Sequence, residues 1–255
     1  MRVTSYNILD GGIGRGDPLA EILLAARGDI FVLVEADDET VLAHLAKRLG
    51  ADFIAAPGDG HTVAVLSRWP IVQTVNHALL VQNGPRSLVE AVVRHPDGRE
   101  ISIFGLHLSA RAYEENEQTR LAEVDALLRI TQMLCNAGRP HVLAGDFNSN
   151  SPVQDIDIAK CKAKTREAYA ANGNRIPRRV IQRLLDAGYV DTLAATKPEA
   201  AKTAATFTTH EPGQRVDYIF AFGLAEAAVA DAWVEQDRLA TYASDHYPVG
   251  AELHV

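Results

Sequence analysis

Six short stretches set polar residues against the ends of apolar runs, and their types are those that hold metals and phosphates and move protons. In LAGDFNSNSP an acid, Asp146, and an amide, Asn148, stand two apart after a lead-in of small and apolar residues. Asn7 closes RVTSYN, Glu35 closes DIFVLVE and His107 closes IFGLH. Asp217 lies inside RVDYIF, and the pair Asp245–His246 precedes the last apolar run. A carboxylate at the end of a buried strand is costly to leave unpaired, so each of these acids needs a partner. Mg²⁺ is one such partner: it takes one or two carboxylates and keeps waters and substrate phosphate for its remaining positions. Each stretch also has a plainer reading. Asp146 and Asn148 suit an ordinary turn, and so do Asn7 and SDHYP. Glu35 could open a solvated acidic turn with Asp37 and Asp38, His107 could be a satisfied histidine, and Asp217 could pair with Arg215. Chance explains any one of them, but explains poorly all six in one order at strand ends.

The elements that must position these residues follow from the apolar pattern. RVTSYNI reads as a strand, and Asp17-Pro18 as an N-cap with proline at the first helical position, on a helix that Gly28 ends. DIFVLVE reads as a buried strand by its continuous apolar run, and Asp38 to Gly50 as a second helix. HTVAVLSRWPI, SLVEAVVRH and REISIFGLHL read as strands, the last two joined through PDG as a hairpin. A long helix is expected from about Glu114 to Asn136, with Gly138 as its stop. HVLAGDF is the next strand, followed by a long irregular loop over 150–176 and a helix opened by Pro177. TFTTH, RVDYIFA, AAVADAWVE and YPVGAELHV complete the strands. With strands dominant and helices in both halves, the expectation is two sheets packed face to face with helices outside.

Nothing in the 255 residues marks a linker, a repeat or a low-complexity block, so a single domain over 1–255 is expected. No stretch approaches a membrane span, and the N-terminus lacks an apolar leader. Only Cys135 and Cys161 are present, which fits a reducing cytoplasm. A net charge of −8 argues against tight non-specific DNA binding. Between Lys160 and Arg183, however, eight cations face one acid, Glu167. That island could steer a polyanionic substrate, or be a solvated helix face with a mobile loop.

With these stretches in place, the chain resembles the endonuclease/exonuclease/phosphatase superfamily, the group of pancreatic-type deoxyribonuclease, abasic-site endonucleases, neutral sphingomyelinases, inositol-polyphosphate 5-phosphatases and tyrosyl-DNA phosphodiesterases. The resemblance runs from SYNI to SDHYPV, and the trio GDFN, VDYIF and SDH carries most of it. It implies a four-layer α/β/β/α sandwich of two packed mixed sheets with outer helices. It implies Glu35 as the principal metal ligand, with Asn7 beside it and near the phosphate, and Asp245 as a further ligand or an orienting group. Asp146 would orient or deprotonate the attacking water, and Asn148 would hold water and phosphate. His246 would contact a non-bridging phosphate oxygen, with Asp217 fixing its tautomer, and His107 would be a second donor to the phosphate.

The expected activity is a Mg²⁺-dependent phosphoesterase, with Mn²⁺ able to substitute, that hydrolyses phosphodiesters by in-line water attack. The expected state is a monomer with no obligate protein partner, acting on a phosphodiester substrate that could be a nucleic acid. The first alternative is a DNA endonuclease, exonuclease or end-processing enzyme; HLSARAYEENEQTR is similar to a stretch of the tyrosyl-DNA phosphodiesterase branch. The 5-phosphatase signatures are absent, and His107 separates the chain from abasic-site endonucleases, which tend to have tyrosine there. The second alternative is a non-catalytic module that binds phosphorylated ligands.

Overall fold

The computed structural model describes residues 1–58, 60–81 and 84–255. In chain order its first elements are β1 (Arg2–Asn7), α1 (Gly16–Ala26), β2 (Ile30–Val34), α2 (Glu39–Leu49), β3 (Asp52–Ala56) and β4 (Val63–Ser67). There follow β5 (Ile71–Asn76), β6 (Ser87–Arg94), β7 (Glu100–His107), α3 (Glu114–Asn136), β8 (His141–Asp146) and α4 (Ala163–Ala171). Next come α5 (Arg179–Asp186), β9 (Val190–Asp191), α6 (Thr192–Thr196) and α7 (Pro198–Thr203). Last are β10 (Asp217–Phe222), β11 (Val229–Val234), α8 (Arg238–Ala243) and β12 (Val249–Leu253).

The strands form two six-stranded sheets, ordered β11-β12-β1-β2-β4-β3 and β5-β6-β7-β8-β10-β9. β1 and β2 run parallel in the first sheet, β7 and β8 in the second, and the other neighbours run antiparallel, so both sheets are mixed.

β2 shows why the layers form. Its Ile30, Val32 and Val34 turn to a core shared with Val89, Ile103 and Val142 of the other sheet. The alternating Phe31 and Leu33 turn the other way, onto Leu19 and Leu23 of α1 and Leu42 and Leu45 of α2. A strand buried on both faces reads as an unbroken apolar run. On the far side Phe104, Leu106, Leu143 and Phe220 pack against Val124 and Leu127 of α3 and Val180, Ile181 and Leu184 of α5. Each such side chain contributes about 1.5–3 kcal/mol by leaving water. The product is the four-layer α/β/β/α sandwich. No helix among the described residues is long and apolar enough to cross a membrane.

The caps explain local order. The Asp38 carboxylate accepts the Val41 N–H and opens α2, and Gly50 closes it in the left-handed region at φ 63°. Asp38→Ala is expected to lower unfolding free energy by about 1 kcal/mol, read as a lower urea midpoint at unchanged slope.

Several expectations change. α1 begins at Gly16, ahead of Asp17, and its N-cap Arg15 makes no side-chain cap bond. It ends on Arg27, which itself takes the left-handed turn at φ 52°. Gly28 follows because a Cβ there would come within 2.8 Å of the Phe31 ring. HTVAVLSRWPI is two strands in different sheets, β4 and β5, broken at Arg68–Pro70. There the Ser67 hydroxyl donates to the Trp69 carbonyl, and Pro70 has no N–H for a ladder. The irregular stretch over 150–176 contains α4, and α5 starts at Arg179, two residues after Pro177. TFTTH is not a strand; Phe207 makes isolated bridges to Gln214 and His246.

Candidate active site

Register brings the polar strand ends together. β7 and β8 pair in parallel with His107 opposite Asp146, and β8 and β10 pair antiparallel with Asp146 opposite Asp217. Directly opposed residues on adjacent strands present their side chains to the same face. His107, Asp146 and Asp217 therefore stand in one row across the second sheet.

The first sheet supplies the facing group. Asn7 ends β1, and Glu35 follows β2 in a left-handed conformation, φ 56°. Such a backbone costs a non-glycine residue about 1–2 kcal/mol. It recurs at four further residues around this centre, Leu9 at φ 56°, Asp10 at φ 47°, Asn148 at φ 47° and Arg111 at φ 83°. The Glu35 Oε1 accepts the Asn7 amide at 3.1 Å, and its Oε2 accepts the Asp10 N–H at 3.0 Å. The same Asn7 amide reaches Asp146 Oδ2 at 3.3 Å, spanning the two sheets.

Asp146 is the hub. Its Oδ1 accepts the Asn148 N–H at 2.8 Å. Its Oδ2 faces Asn7 Nδ2 at 3.3 Å, His107 Nε2 at 3.6 Å and His246 Nε2 at 3.8 Å. His246 Nδ1 lies 2.9 Å from Asp217 Oδ2, and the Phe207 ring packs on the imidazole at 4.6 Å. The loop bearing His246 is tied to β1 by the Ser244 hydroxyl, which donates to the Asn7 carbonyl at 2.7 Å. Asn148 donates one amide hydrogen to the Leu108 carbonyl, leaving its second and its Oδ1 for other partners.

The plainer readings fare differently. Arg215 pairs with Asp191 at 2.6 Å, and Asp217 pairs instead with His246. Asp38 is the α2 cap, and Asp37 holds His61 at 2.7 Å. Asp245 lies beside the centre, its Oδ1 3.9 Å from His246 Nε2, but its Oδ2 is paired with Lys162 at 2.8 Å.

Electrostatics separate the two imidazoles. Burial disfavours charge on His246, but Asp217, Asp146 and Asp245 outweigh it and hold its pKa up at about 9. Burial, with His61 and His246 nearby, pushes His107 down to about 4, so it is neutral near pH 7. Burial and the Asp217 charge raise Asp146 to about 7.

Donor atoms of Asp146, Asp217 and His246 lie within 4.8 Å of one another, close enough to hold an ion by distance alone. A protonated imidazole has no lone pair to give a metal. The two carboxylate oxygens of Glu35, with the Asn7 Oδ1 that accepts the Leu9 N–H and keeps a second lone pair, fit a hard divalent cation better. They lie beside a buried acid that no Lys or Arg pairs among the described residues.

Sequence reasoning missed several neighbours. His61 stacks on His107 with ring centroids 5.8 Å apart, and Phe207 packs on His246. Glu117, Arg120 and Glu123 of α3 are buried beneath the site. A signal existed only in the wide polar interruption of the α3 apolar stripe, which reads equally well as a solvated face. Two recesses flank the centre and meet at Ala110. One, of about 310 Å³, is lined by His61, Arg86, His107 and Ser109, and the other, of about 110 Å³, by Arg111, Asn148, Lys162 and Phe207.

The basic island is largely engaged. Lys160, Lys162, Lys164, Arg179 and Arg183 pair with Asp157, Asp245, Glu167, Glu114 and Asp125, and Arg178 donates to the carbonyls of Ser151, Pro152 and Gln154. Exposed pairs of this kind contribute only about 0–1 kcal/mol, so a phosphate can compete for them.

Residues 4–246 match the model of the Endonuclease/Exonuclease/phosphatase family. No curated protein is similar enough in sequence to match. Among solved structures, the chain is similar to the 3′ phosphatase NExo from Neisseria bound to product DNA hairpin, at TM-score 0.73 and 21% identity over 100% of both chains. It is similar to an AP endonuclease from Archaeoglobus fulgidus, at 0.72 and 20% over 100% of both chains. It is also similar to a humanized D. rerio TDP2, at 0.68 and 16% over 100% of this chain and 99% of that one. At these identities the structural likeness is one of fold.

Proposed function

The chain belongs to the Endonuclease/Exonuclease/phosphatase family, hydrolases of phosphoester bonds, and on that premise we propose that it is a divalent-cation-dependent phosphodiesterase acting as a single domain. The observation that carries this reading is the convergence of Asn7, His107 and His246 on one oxygen of Asp146. A structural carboxylate would be satisfied by its own partners. Here Oδ1 is held by Asn148, and Oδ2, beyond the Asn7 amide at 3.3 Å, faces two imidazole nitrogens at 3.6 and 3.8 Å, too long for hydrogen bonds, so a lone pair remains for a reacting water.

In this reading Asp146 Oδ2 takes a proton from the water that attacks phosphorus in line. His246, its Nδ1 held by Asp217, presents Nε2–H to a non-bridging oxygen and meets the charge that develops there. Asn148 and neutral His107 hold phosphate and water in line, and Asn7 keeps Asp146 and Glu35 in register across the two sheets. The phosphodiester yields a phosphomonoester and an alcohol. Mg²⁺, or Mn²⁺ in its place, held by Glu35 with Asn7, would supply charge neutralisation at the phosphate when bound.

The test is hydrolysis of bis-p-nitrophenyl phosphate with Mg²⁺, with Mn²⁺ and with chelator. His246→Ala is expected to lower kcat by about 10²–10³-fold, the effect of removing one transition-state donor. Turnover that survives chelation, or His246→Ala at the wild-type rate, would contradict the reading.

A second reading narrows the substrate to a nucleic acid. It is favoured by cations that edge both recesses, Arg86 in one and Arg111, Lys162 and Lys164 in the other, and by structural neighbours named for action on DNA. It expects KM for an oligonucleotide to rise steeply with salt; a KM flat in salt would count against it.

A further inference from the structure

The smaller recess begins at Asn148 and runs between the segment after β7 and the start of α4, edged by Arg111, Lys162 and Lys164. Two of those cations are already matched: Lys162 with Asp245 and Lys164 with Glu167. Among the described residues no carboxylate pairs with Arg111, and its side chain is exposed. Its backbone is nevertheless held in the left-handed region at φ 83°, where glycine is the residue without strain.

The device that holds it there is built of buried charge. Arg120, 1% exposed, donates to the carbonyls of both Ser109 and Arg111. Arg120 is in turn paired with Glu117 at 3.0 Å, and Glu123 accepts the Ser109 N–H at 3.0 Å and the Ser109 hydroxyl at 2.6 Å. Glu117 also accepts the N–H groups of Arg179 and Val180, which anchors α5 to the same network. Three buried ionisable groups of α3 thus fix a short segment whose one unmatched, strained residue is an arginine facing the recess beside Asn148. Strain held in place by its surroundings gathers at sites that bind, and a guanidinium matches phosphate with paired donors.

We propose that Arg111 binds the phosphate adjacent to the scissile one, so that the preferred substrates are nucleic-acid strands rather than isolated phosphodiesters. The inference rests on the phosphodiesterase reading above and extends it to substrate class. Lys162 and Lys164 border the same recess and extend its positive edge.

The test compares Arg111→Gly and Arg111→Lys with wild type on a single-stranded oligonucleotide and on bis-p-nitrophenyl phosphate, which has no second phosphate. Arg111→Gly is expected to lower oligonucleotide kcat/KM about tenfold or more through KM, and to shift the ratio of the two substrates by a similar factor. Arg111→Lys should fall between. The melting temperature of Arg111→Gly should equal or exceed wild type, because glycine relieves the strain. The salt slope of oligonucleotide binding should fall by about 0.7, the loss of one single-strand phosphate contact. Parallel loss on both substrates, or no loss on the oligonucleotide, overturns the inference. Anisotropy of a labelled oligonucleotide in chelator separates two failures. Arg111-dependent binding without any turnover would sink the phosphodiesterase reading alone, and equal binding by wild type and Arg111→Gly would sink the inference.

Discussion

Asp146→Asn is expected to lower kcat by about 10³–10⁴-fold, near the upper range for loss of a positioned general base, while KM changes only a few-fold. The substitution keeps the shape of the side chain, and the Asn148 N–H still finds a carbonyl oxygen at the Oδ1 position. What it removes is the oxygen on which Asn7, His107 and His246 converge. Two effects on stability oppose each other. The Asn7 amide loses an acceptor at 3.3 Å, and a buried negative charge next to Asp217 disappears. Each is worth about 1 kcal/mol, so the unfolding midpoint should shift little. Turnover within tenfold of wild type would remove Asp146 from the chemistry. A large drop in stability would make lost activity uninformative, and the urea transition of the same preparation measures it.

Chelation is expected to reduce turnover to the background rate, and added Mg²⁺ or Mn²⁺ to restore it. Glu35→Gln tests where the cation is held. Its two carboxylate oxygens accept from the Asn7 amide and the Asp10 N–H. A glutamine would set its own NH₂ against one of those donors and would bring no charge. Outer-shell changes alone cost about 10–100-fold in metal affinity, so loss of this ligand should raise the half-saturating Mg²⁺ concentration by about 100-fold or more. The second readout is independent of catalysis. Mg²⁺ at about 100 times its wild-type Kd should add about 2.7 kcal/mol to wild-type unfolding free energy, and about 0.4 kcal/mol or less to Glu35→Gln at that concentration. A wild-type melting temperature indifferent to Mg²⁺, or a Glu35→Gln response equal to wild type, would move the cation elsewhere.

The layers were readable because burial leaves a pattern. DIFVLVE, buried on both faces, and α3 over Glu114–Asn136 both carry it, and α3 lies where its apolar spacing predicts. The convergence of the candidate residues was readable for a related reason: a polar residue that breaks an apolar run at a strand end is conspicuous. What the pattern lacks, reading from sequence lacks also. α4 buries only Thr165 and Ala168, so AKTREAYAA shows no apolar stripe and passes for loop. The break between β4 and β5 depends on which sheet each half joins, a tertiary fact that local periodicity does not record. Glu117, Arg120 and Glu123 look like an exposed polar face, and only the packing of α5 and of the segment after β7 turns them inward. Phe207 and His61 were hidden because stacking partners leave no spacing signal.

The closure of the first sheet also sets a timetable. β1 carries Asn7 and lies between β2 and β12. During synthesis β1 and β2 leave the ribosome well before β12, and the edge of β1 that β12 will cover stays open meanwhile. Asp146 follows with β8, Asp217 with β10, and His246 only ahead of β12. A nascent chain thus carries Asn7 and Glu35 long before it carries the imidazole of His246. On the proposed reading, a nascent chain that stops short of His246 lacks the donor to the phosphate and should not turn substrate over.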